Sequence, residues 1–251
     1  MINAYDGFAS VYDIMQVDVD YALWVSAFDE RIQAHKHGAR QVLEVACGTA
    51  TVGLALSKRG YVVDGLDASE EMLAVAQHKA KREQVKMNFY RQDMSDMKLN
   101  KKYDVIVVPC DGVNYLLEEA TVKQFFSRVA AHLKPNGIFI FDLSTHYKLS
   151  TVIGNNTFAE TFEQSAYIWE NTFDPDTNTL AFLLTLFIED SANHYQRVEE
   201  YHVQRAYTKE SVKSWLTLWF KVLEICDGDS FQELTVNSER MCFVCKLGGN
   251  L

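Results

Sequence analysis

Three carboxylates, Glu44, Asp67 and Asp93, stand where apolar runs give way to turns, a spacing that suits a ligand carrying a ribose and a base. Residues 41–67 supply the first two. Val42, Leu43 and Val45 form a short strand-type run. Ala46, Cys47, Gly48, Thr49 and Ala50 are all small, so a ligand can approach the backbone closely there. Thr51 to Lys58 has helical apolar spacing, with Gly60 placed as a C-terminal cap. Tyr61 to Leu66 is a second strand run, closed by Asp67. An acid at that tip accepts from both ribose hydroxyls. Asp67 follows Gly48 by 19 residues, which fits the expected gap of roughly 20. Lys86 to Arg91 is a third strand run, followed by Gln92, Asp93 and Met94. There Asp93 can accept from an adenine amino group, and Met94 can close the base pocket. A diphosphate-binding turn needs Gly-x-Gly-x-x-Gly, whereas this turn has only Gly48. Glu44 beside it is a poor neighbour for a diphosphate and a good one for a cation.

Residues 44–50, Glu-Val-Ala-Cys-Gly-Thr-Ala, resemble motif I of the class I S-adenosylmethionine-dependent methyltransferases, acid-x-Gly-x-Gly-x-Gly. Glu44, Ala46, Gly48 and Ala50 occupy its marked positions, with alanine for two of the three glycines. The Ala-Cys-Gly-Thr form looks like a common variant of the family. Gln92-Asp93-Met94 resembles the family's Gly-Asp-Met or Gln-Asp-Met element. S-adenosylmethionine carries a sulfonium, an ammonium and no phosphate, which agrees with Glu44. The resemblance implies an α/β fold: a doubly wound, Rossmann-like, seven-stranded methyltransferase sheet. It implies S-adenosylmethionine as cofactor, bound by Glu44, Ala46, Cys47, Gly48, Asp67, Ala68, Met72, Asp93 and Met94. Ala68 and Met72 would line the adenosine, and Met72 is equally well read as plain core. By motif the likeness covers roughly residues 38–143, and by element order the rest.

The acceptor side is read from what surrounds these motifs. Tyr103 to Val108 is a fourth strand, and residues 109–115, Pro-Cys-Asp-Gly-Val-Asn-Tyr, sit at its carboxyl end, where ligands of open α/β sheets bind. This loop should face cofactor and substrate, with Cys110 toward the former. Asp111, Asn114 and Tyr115 are candidates to hold a nucleophile, or else form an Asx-type turn that satisfies its own backbone. The Asn/Asp-Pro-Pro-aromatic element of enzymes that methylate nucleic-acid amino groups is missing, which favours a small molecule. The segment 1–17 spaces Tyr5, Phe8, Tyr12 and Met15 three to four apart, either as a packed amphipathic segment or as a lid. Tyr12-Asp13 resembles a Tyr-Asp pair in the N-terminal arm of similar methyltransferases, so Tyr12 is expected at cofactor and substrate. His146, after the fifth strand run (Ile138 to Asp142), is a candidate proton acceptor or a structural histidine.

Residues 157–207 break the βα alternation with three strand-like runs: Phe162 to Phe173, Leu180 to Ile188 and Tyr195 to Tyr207. The connectors are 174–178 and 190–193. They predict an antiparallel three-strand insert with Leu180 to Ile188 as its covered centre. Such an insert occurs in glycine N-methyltransferase-like and nucleotide-sugar N-methyltransferase-like enzymes, which this bacterial small-molecule type of chain resembles. On the last strand Glu200, His202 and Gln204 share one face, and Tyr201, Val203, Arg205 and Tyr207 the other. One face should roof the pocket, and the polar set either faces it or is solvated. His202 and Arg205 are lesser candidates for contact. The expected division is an N-terminal helical arm or lid (1–36), a cofactor-binding core (37–150), the β insert (151–207) and completion of the core (208–251).

The 251 residues are 48% hydrophobic, enough for a sizeable core, and the formal net charge of −10 argues against nucleic-acid or anionic-membrane partners. No apolar run approaches the ~20 residues that span a bilayer. The N-terminus lacks a secretory pattern. Five cysteines, an odd number scattered through apolar runs, fit reduced thiols, so a cytoplasmic location is expected. Cys242 and Cys245 match C-x-x-C only within a strand, where they point to opposite faces. No metal-ligand spacing is found, and none is expected. The expected function is methylation of a small-molecule N or O acceptor by in-line transfer, with a possible homodimer through the β insert. A non-catalytic S-adenosylmethionine-binding protein and a nucleotide-dependent oxidoreductase or epimerase are the alternatives.

Overall fold

The computed structural model describes residues 9, 12–16, 19–189 and 194–248. Tyr5 and Phe8, the Met15 side chain and the connector 190–193 lie outside the described residues.

The strands β1 (Gln41–Val45), β2 (Val62–Asp67), β3 (Asn88–Arg91), β4 (Tyr103–Val108) and β5 (Leu133–Ser144) are parallel. With β10 (Phe220–Asp227) and β11 (Arg240–Leu247) they form one sheet in the order β10-β11-β5-β4-β1-β2-β3. β11 is antiparallel to both β5 and β10, so the last strand of the chain inserts between them. The order reverses between β1 and β4, so the crevice at their carboxyl ends is the natural ligand site. The central strands are apolar on both faces because helices cover both. Leu43, Ile106, Phe139 and Phe243 pack on one side, with Val122 and Phe125 of α5 (Glu119–His132). Val42, Val105, Ile140 and Val244 pack on the other, with Phe28 and Ile32 of α2 (Tyr21–His35).

Local signals set the remaining helices. α3 (Thr51–Lys58) follows the small-residue turn. α4 (Glu70–Arg82) starts at Ser69, whose Oγ accepts from Met72 N at 3.1 Å, and has Glu70 and Glu71 in its first turn. α6 (Lys209–Leu216) starts at Thr208, which accepts from Ser211 N at 3.1 Å. β5 begins before the apolar run Ile138 to Asp142 and takes in residues 134–137, where Asn136 has φ 57°.

The insert has four strands rather than three. β6 (Thr157–Thr161), β7 (Ser165–Asp174), β8 (Thr179–Glu189) and β9 (Tyr195–Arg205) form a separate antiparallel sheet in chain order. The extra strand is a polar, mostly exposed edge with no apolar alternation to betray it. A turn closed by Phe162 N to Ser165 O at 2.7 Å divides it from β7. Among the described residues no helix is long and apolar enough to cross a membrane.

Candidate active site

The carboxyl ends of β1, β2 and β4 open on a cavity of about 490 Å³. Glu44, Ala46, Cys47, Gly48, Asp67, Ala68 and Met72 line it, as do Asp93, Met94, Cys110 and Tyr12. Sequence spacing thus brought the predicted cofactor residues to one place. Tyr21, Thr49 and Thr51 join them without having been predicted.

The turn explains the motif. Ala46, Gly48 and Ala50 all have left-handed backbone, at φ 51°, 51° and 59°. These are the positions where the motif carries glycine, the residue without a Cβ penalty there. Ala46→Gly is expected to raise stability by about 1 kcal/mol, or ~2–4 °C in melting temperature for a chain this size. An unchanged or lower melting point would contradict the strain reading.

Asp67 ties turn and helix together. Its Oδ2 accepts from Gly48 N at 2.8 Å and its Oδ1 from Ser69 N at 2.9 Å. Burial nonetheless holds its pKa above the usual carboxylate value, with those amides opposing. Glu44, 1% exposed, accepts from Gly53 N at 3.0 Å. Burial pushes its pKa up to about 8, against the pull of Gly53 N and Lys79. Two buried acids short of positive charge suit a ligand that brings a cation and hydroxyl donors. Asp93 Oδ1 is committed to Ser95 N and Oγ, both at 2.7 Å. S-adenosylmethionine therefore fits: cationic groups for Glu44, ribose hydroxyls for Asp67, and an adenine beside Asp93, Met94 and Met72.

The N-terminal arm is anchored to this cavity by a buried cation. Lys79 Nζ donates to Asp13 Oδ2 at 2.7 Å, Thr51 Oγ1 at 2.7 Å and Thr49 Oγ1 at 3.1 Å. Thr49 Oγ1 donates to Asp13 Oδ1 at 2.6 Å. Asp13 thereby fixes α1 (Tyr12–Met15) over the motif turn, next to Tyr12. Burial, with Cys110 and Tyr21 adding, keeps the Tyr12 phenol protonated. Asp13→Ala should release the arm and weaken S-adenosylhomocysteine binding on the order of 10-fold, the loss of one charge-assisted bond. Calorimetric titration would show it, and wild-type affinity in the variant would remove the arm from the site.

A second cavity, about 270 Å³, adjoins the first. Tyr12, Cys110 and Tyr115 line both, so they form the neck between them. Cys110 and Asp111 have left-handed backbone at φ 61° and 50°, and Asp142 Oδ2 accepts from Asp111 N at 3.0 Å. Two adjacent strained residues at a cavity neck are typical of a positioned functional loop. The inner face of β7 to β9 roofs this cavity with Tyr167, Trp169, Phe182 and His202.

The polar face of β9 is the buried one. Glu200 and His202 are 1% and 3% exposed, while Tyr201 is 64% exposed. His202 stacks on Phe182 (4.7 Å, 14°) and bonds Glu200 Oε2 through Nε2 at 3.2 Å. Its Nδ1 faces the Tyr115 hydroxyl at 3.4 Å. The signal available in the sequence was the i, i+2, i+4 polar set, and nothing local said which way it faced. Arg205 instead bonds Leu117 O at 2.6 Å and lies outside both cavities.

The other predicted acceptor residues divide. Asp111 lines the second cavity, but Arg240 Nη1 donates to its Oδ1 at 2.8 Å and Gln204 Nε2 to its Oδ2 at 2.7 Å. Burial alone would raise its pKa, but Arg240, Lys148 and Gln204 together hold it below the usual carboxylate value. Asn114 does not reach either cavity. It is fully buried, donates to Ser144 O and Arg205 O at 3.1 and 2.9 Å, and accepts from Ser144 N at 2.9 Å. It staples the loop to β5 and β9. His146 is exposed, stands against Phe173 and within 3.2 Å of Ser150 Oγ, and is also outside both cavities. It points away because the chain turns into a short π-helical segment, Lys148–Ile153, just after it. Among the described residues no group of three His, Cys, Asp or Glu is placed to hold a metal.

Residues 42–137 match the family model described as a methyltransferase domain. A protein of Geobacillus sp. (strain WCH70) carried under the name of methyltransferase is 35% identical over 244 residues, 96% of this chain and 99% of its own. The crystal structure of an S-adenosylmethionine-dependent methyltransferase from Clostridium acetobutylicum ATCC 824 superposes with a TM-score of 0.89 at 32% identity, covering 98% of this chain and 99% of that one. An amino pentose methyltransferase from Micromonospora echinaspora, solved with S-adenosylmethionine bound, shares the fold at TM-score 0.72 and 17% identity over 95% of this chain and 97% of that one. A cavity that fits the sulfonium cofactor, in a chain with full-length methyltransferase relatives, has one reading: the chain belongs to the S-adenosylmethionine-dependent methyltransferases and uses S-adenosylmethionine as its cofactor.

Proposed function

We propose that the acceptor is a small molecule, methylated on N or O while it sits in the 270 Å³ cavity. One observation carries this: that cavity meets the cofactor cavity at Tyr12, Cys110 and Tyr115 and is roofed by the second sheet. A roofed space of this size takes a compact acceptor and excludes a folded polymer. The amino pentose substrate named for the structural neighbour is of a size that such a space holds.

S-adenosylmethionine supplies a methyl group on a positively charged sulfur, open to in-line attack by a lone pair. Glu44, Asp67, Asp93 and the turn 46–50 hold the cofactor, with Ala68, Met72 and Met94 around its adenosine. Tyr12, Cys110 and Tyr115 narrow the neck, so nucleophile and methyl meet in line and water is excluded. Tyr115, His202 and Glu200 form a proton relay. With Nε2–H donated to Glu200, His202 presents Nδ1 as an acceptor to the Tyr115 hydroxyl. The Tyr115 oxygen takes the acceptor's proton as its own moves to Nδ1, and Glu200 stabilises the imidazolium. The 3.4 Å gap is expected to tighten once both ligands are bound.

The test is release of S-adenosylhomocysteine from S-adenosylmethionine, with a panel of small amines, alcohols, phenols and amino sugars beside DNA, tRNA and protein. Turnover with panel members alone supports the reading. Turnover with a polymer alone refutes it. We place any homodimer contact on the outer face of the second sheet, where Ile168, Tyr195 and Tyr201 are exposed, and sedimentation over a concentration series tests that.

A further inference from the structure

We propose that the acceptor carries an anionic group, a carboxylate or a phosphate, bound by the Lys148 ammonium in the part of the acceptor cavity that the cofactor does not share. The inference rests on the reading of that cavity as the acceptor site.

Lys148 follows the carboxyl end of β5 and lines the second cavity but not the first. Its side chain is half-buried, and its Nζ makes no hydrogen bond or ion pair among the described residues. The other cation on this wall, Arg240, is already paired with three carboxylates. Its Nη1 serves Asp111 at 2.8 Å and Asp142, its Nε serves Asp229 at 3.2 Å, and its guanidinium lies 5.0 Å from the Trp24 ring centre. Asp111, held by Arg240 and Gln204, attracts Lys148 electrostatically but forms no hydrogen bond or ion pair with it. Burial, and then Arg240, pull the Lys148 pKa down, with Asp111, Asp229 and Glu239 opposing. An enclosed ammonium beside a second cation gains when an anion arrives.

Tyr167, Trp169 and Phe182 give the cavity flat apolar walls. Its 270 Å³ is at the small end of ligand pockets, which run roughly 300–1,000 Å³. Cation, aromatic walls and size converge on a compact, single-ring anion.

The test is calorimetric titration of the full chain, saturated with S-adenosylhomocysteine, with benzoate, phenyl phosphate and benzyl alcohol in turn. Wild type is expected to bind one anion at least 10-fold more tightly than the alcohol, and the better anion identifies carboxylate or phosphate. Lys148→Met is expected to abolish that preference, and Lys148→Arg to keep most of it, while both bind S-adenosylhomocysteine normally. Equal binding of all three probes, unchanged in Lys148→Met, overturns the anion assignment and leaves the acceptor cavity standing. No binding of any probe to a protein that binds S-adenosylhomocysteine overturns both.

Discussion

Asp67→Ala is expected to weaken S-adenosylhomocysteine binding by at least about 100-fold, the loss of two hydrogen bonds to a charged acceptor at roughly 1.5–3 kcal/mol each. The carboxylate does two jobs. Each oxygen already holds one backbone amide, Gly48 N or Ser69 N, and keeps lone-pair capacity for a ribose hydroxyl. In the proposed binding mode, removing it would take away both ribose contacts and free the turn that Gly48 N and Ser69 N tie to it. The variant should still fold, because burial raises this carboxyl's pKa, so the ionised side chain costs the unliganded fold stability rather than supplying it. Asp67→Asn keeps one acceptor oxygen and should fall between wild type and alanine. Calorimetric titration, with a melting curve as control, reads all three. A folded Asp67→Ala protein that binds as tightly as wild type would refute the role given to this residue.

The second large effect is at His202. With an acceptor found by turnover, His202→Asn should lower kcat on the order of 100-fold, the smaller end of what general acid–base groups contribute. S-adenosylhomocysteine affinity should not change, since His202 lines the acceptor cavity alone. The imidazole is set by a carboxylate on one nitrogen and a stacked ring on its face. Asparagine keeps polarity at the site but cannot take up the proton passed by Tyr115. Glu200→Gln should cost less, because it leaves the base in place and removes only the charge that steadies the imidazolium. Tyr115→Phe should match His202→Asn, and the double variant should be little worse than either, as members of one relay act as a unit. A normal kcat in His202→Asn, or additive losses in the double variant, would dismantle the relay.

The cofactor half of the site was legible in the sequence because its residues sit at ends of consecutive strands. Glu44, Gly48, Asp67 and Asp93 mark strand ends along the chain, and a parallel sheet gathers such ends on one edge. Even the alanines at 46 and 50 were informative, since the motif positions proved to be the left-handed ones. The acceptor half was less legible because it is made by contacts distant in sequence. Arg240 begins the last strand and meets Asp111 from 129 residues away. Gln204 meets the same carboxylate from 93 residues away. Neither contact has a local pattern. The polar set on β9 was visible, but period-two alternation gives two faces without saying which is inward. Asn114 and His146 had suitable chemistry at a suitable strand end. One was consumed by backbone groups of its own neighbourhood, and the other was turned outward by the segment that follows it. The missed strand Thr157–Thr161 is a solvated edge, where no apolar face is needed and so none is written.

The central claim is that cofactor and acceptor occupy two cavities that meet at Tyr12, Cys110 and Tyr115. A crystal structure of the complex with S-adenosylhomocysteine tests it most directly. The account predicts the ribose on Asp67, the adenine beside Asp93 and Met94, the amino group toward Glu44, and the sulfur at the neck, facing the cavity under His202. A sulfur turned away from that neck, or a ligand bound elsewhere, would contradict it.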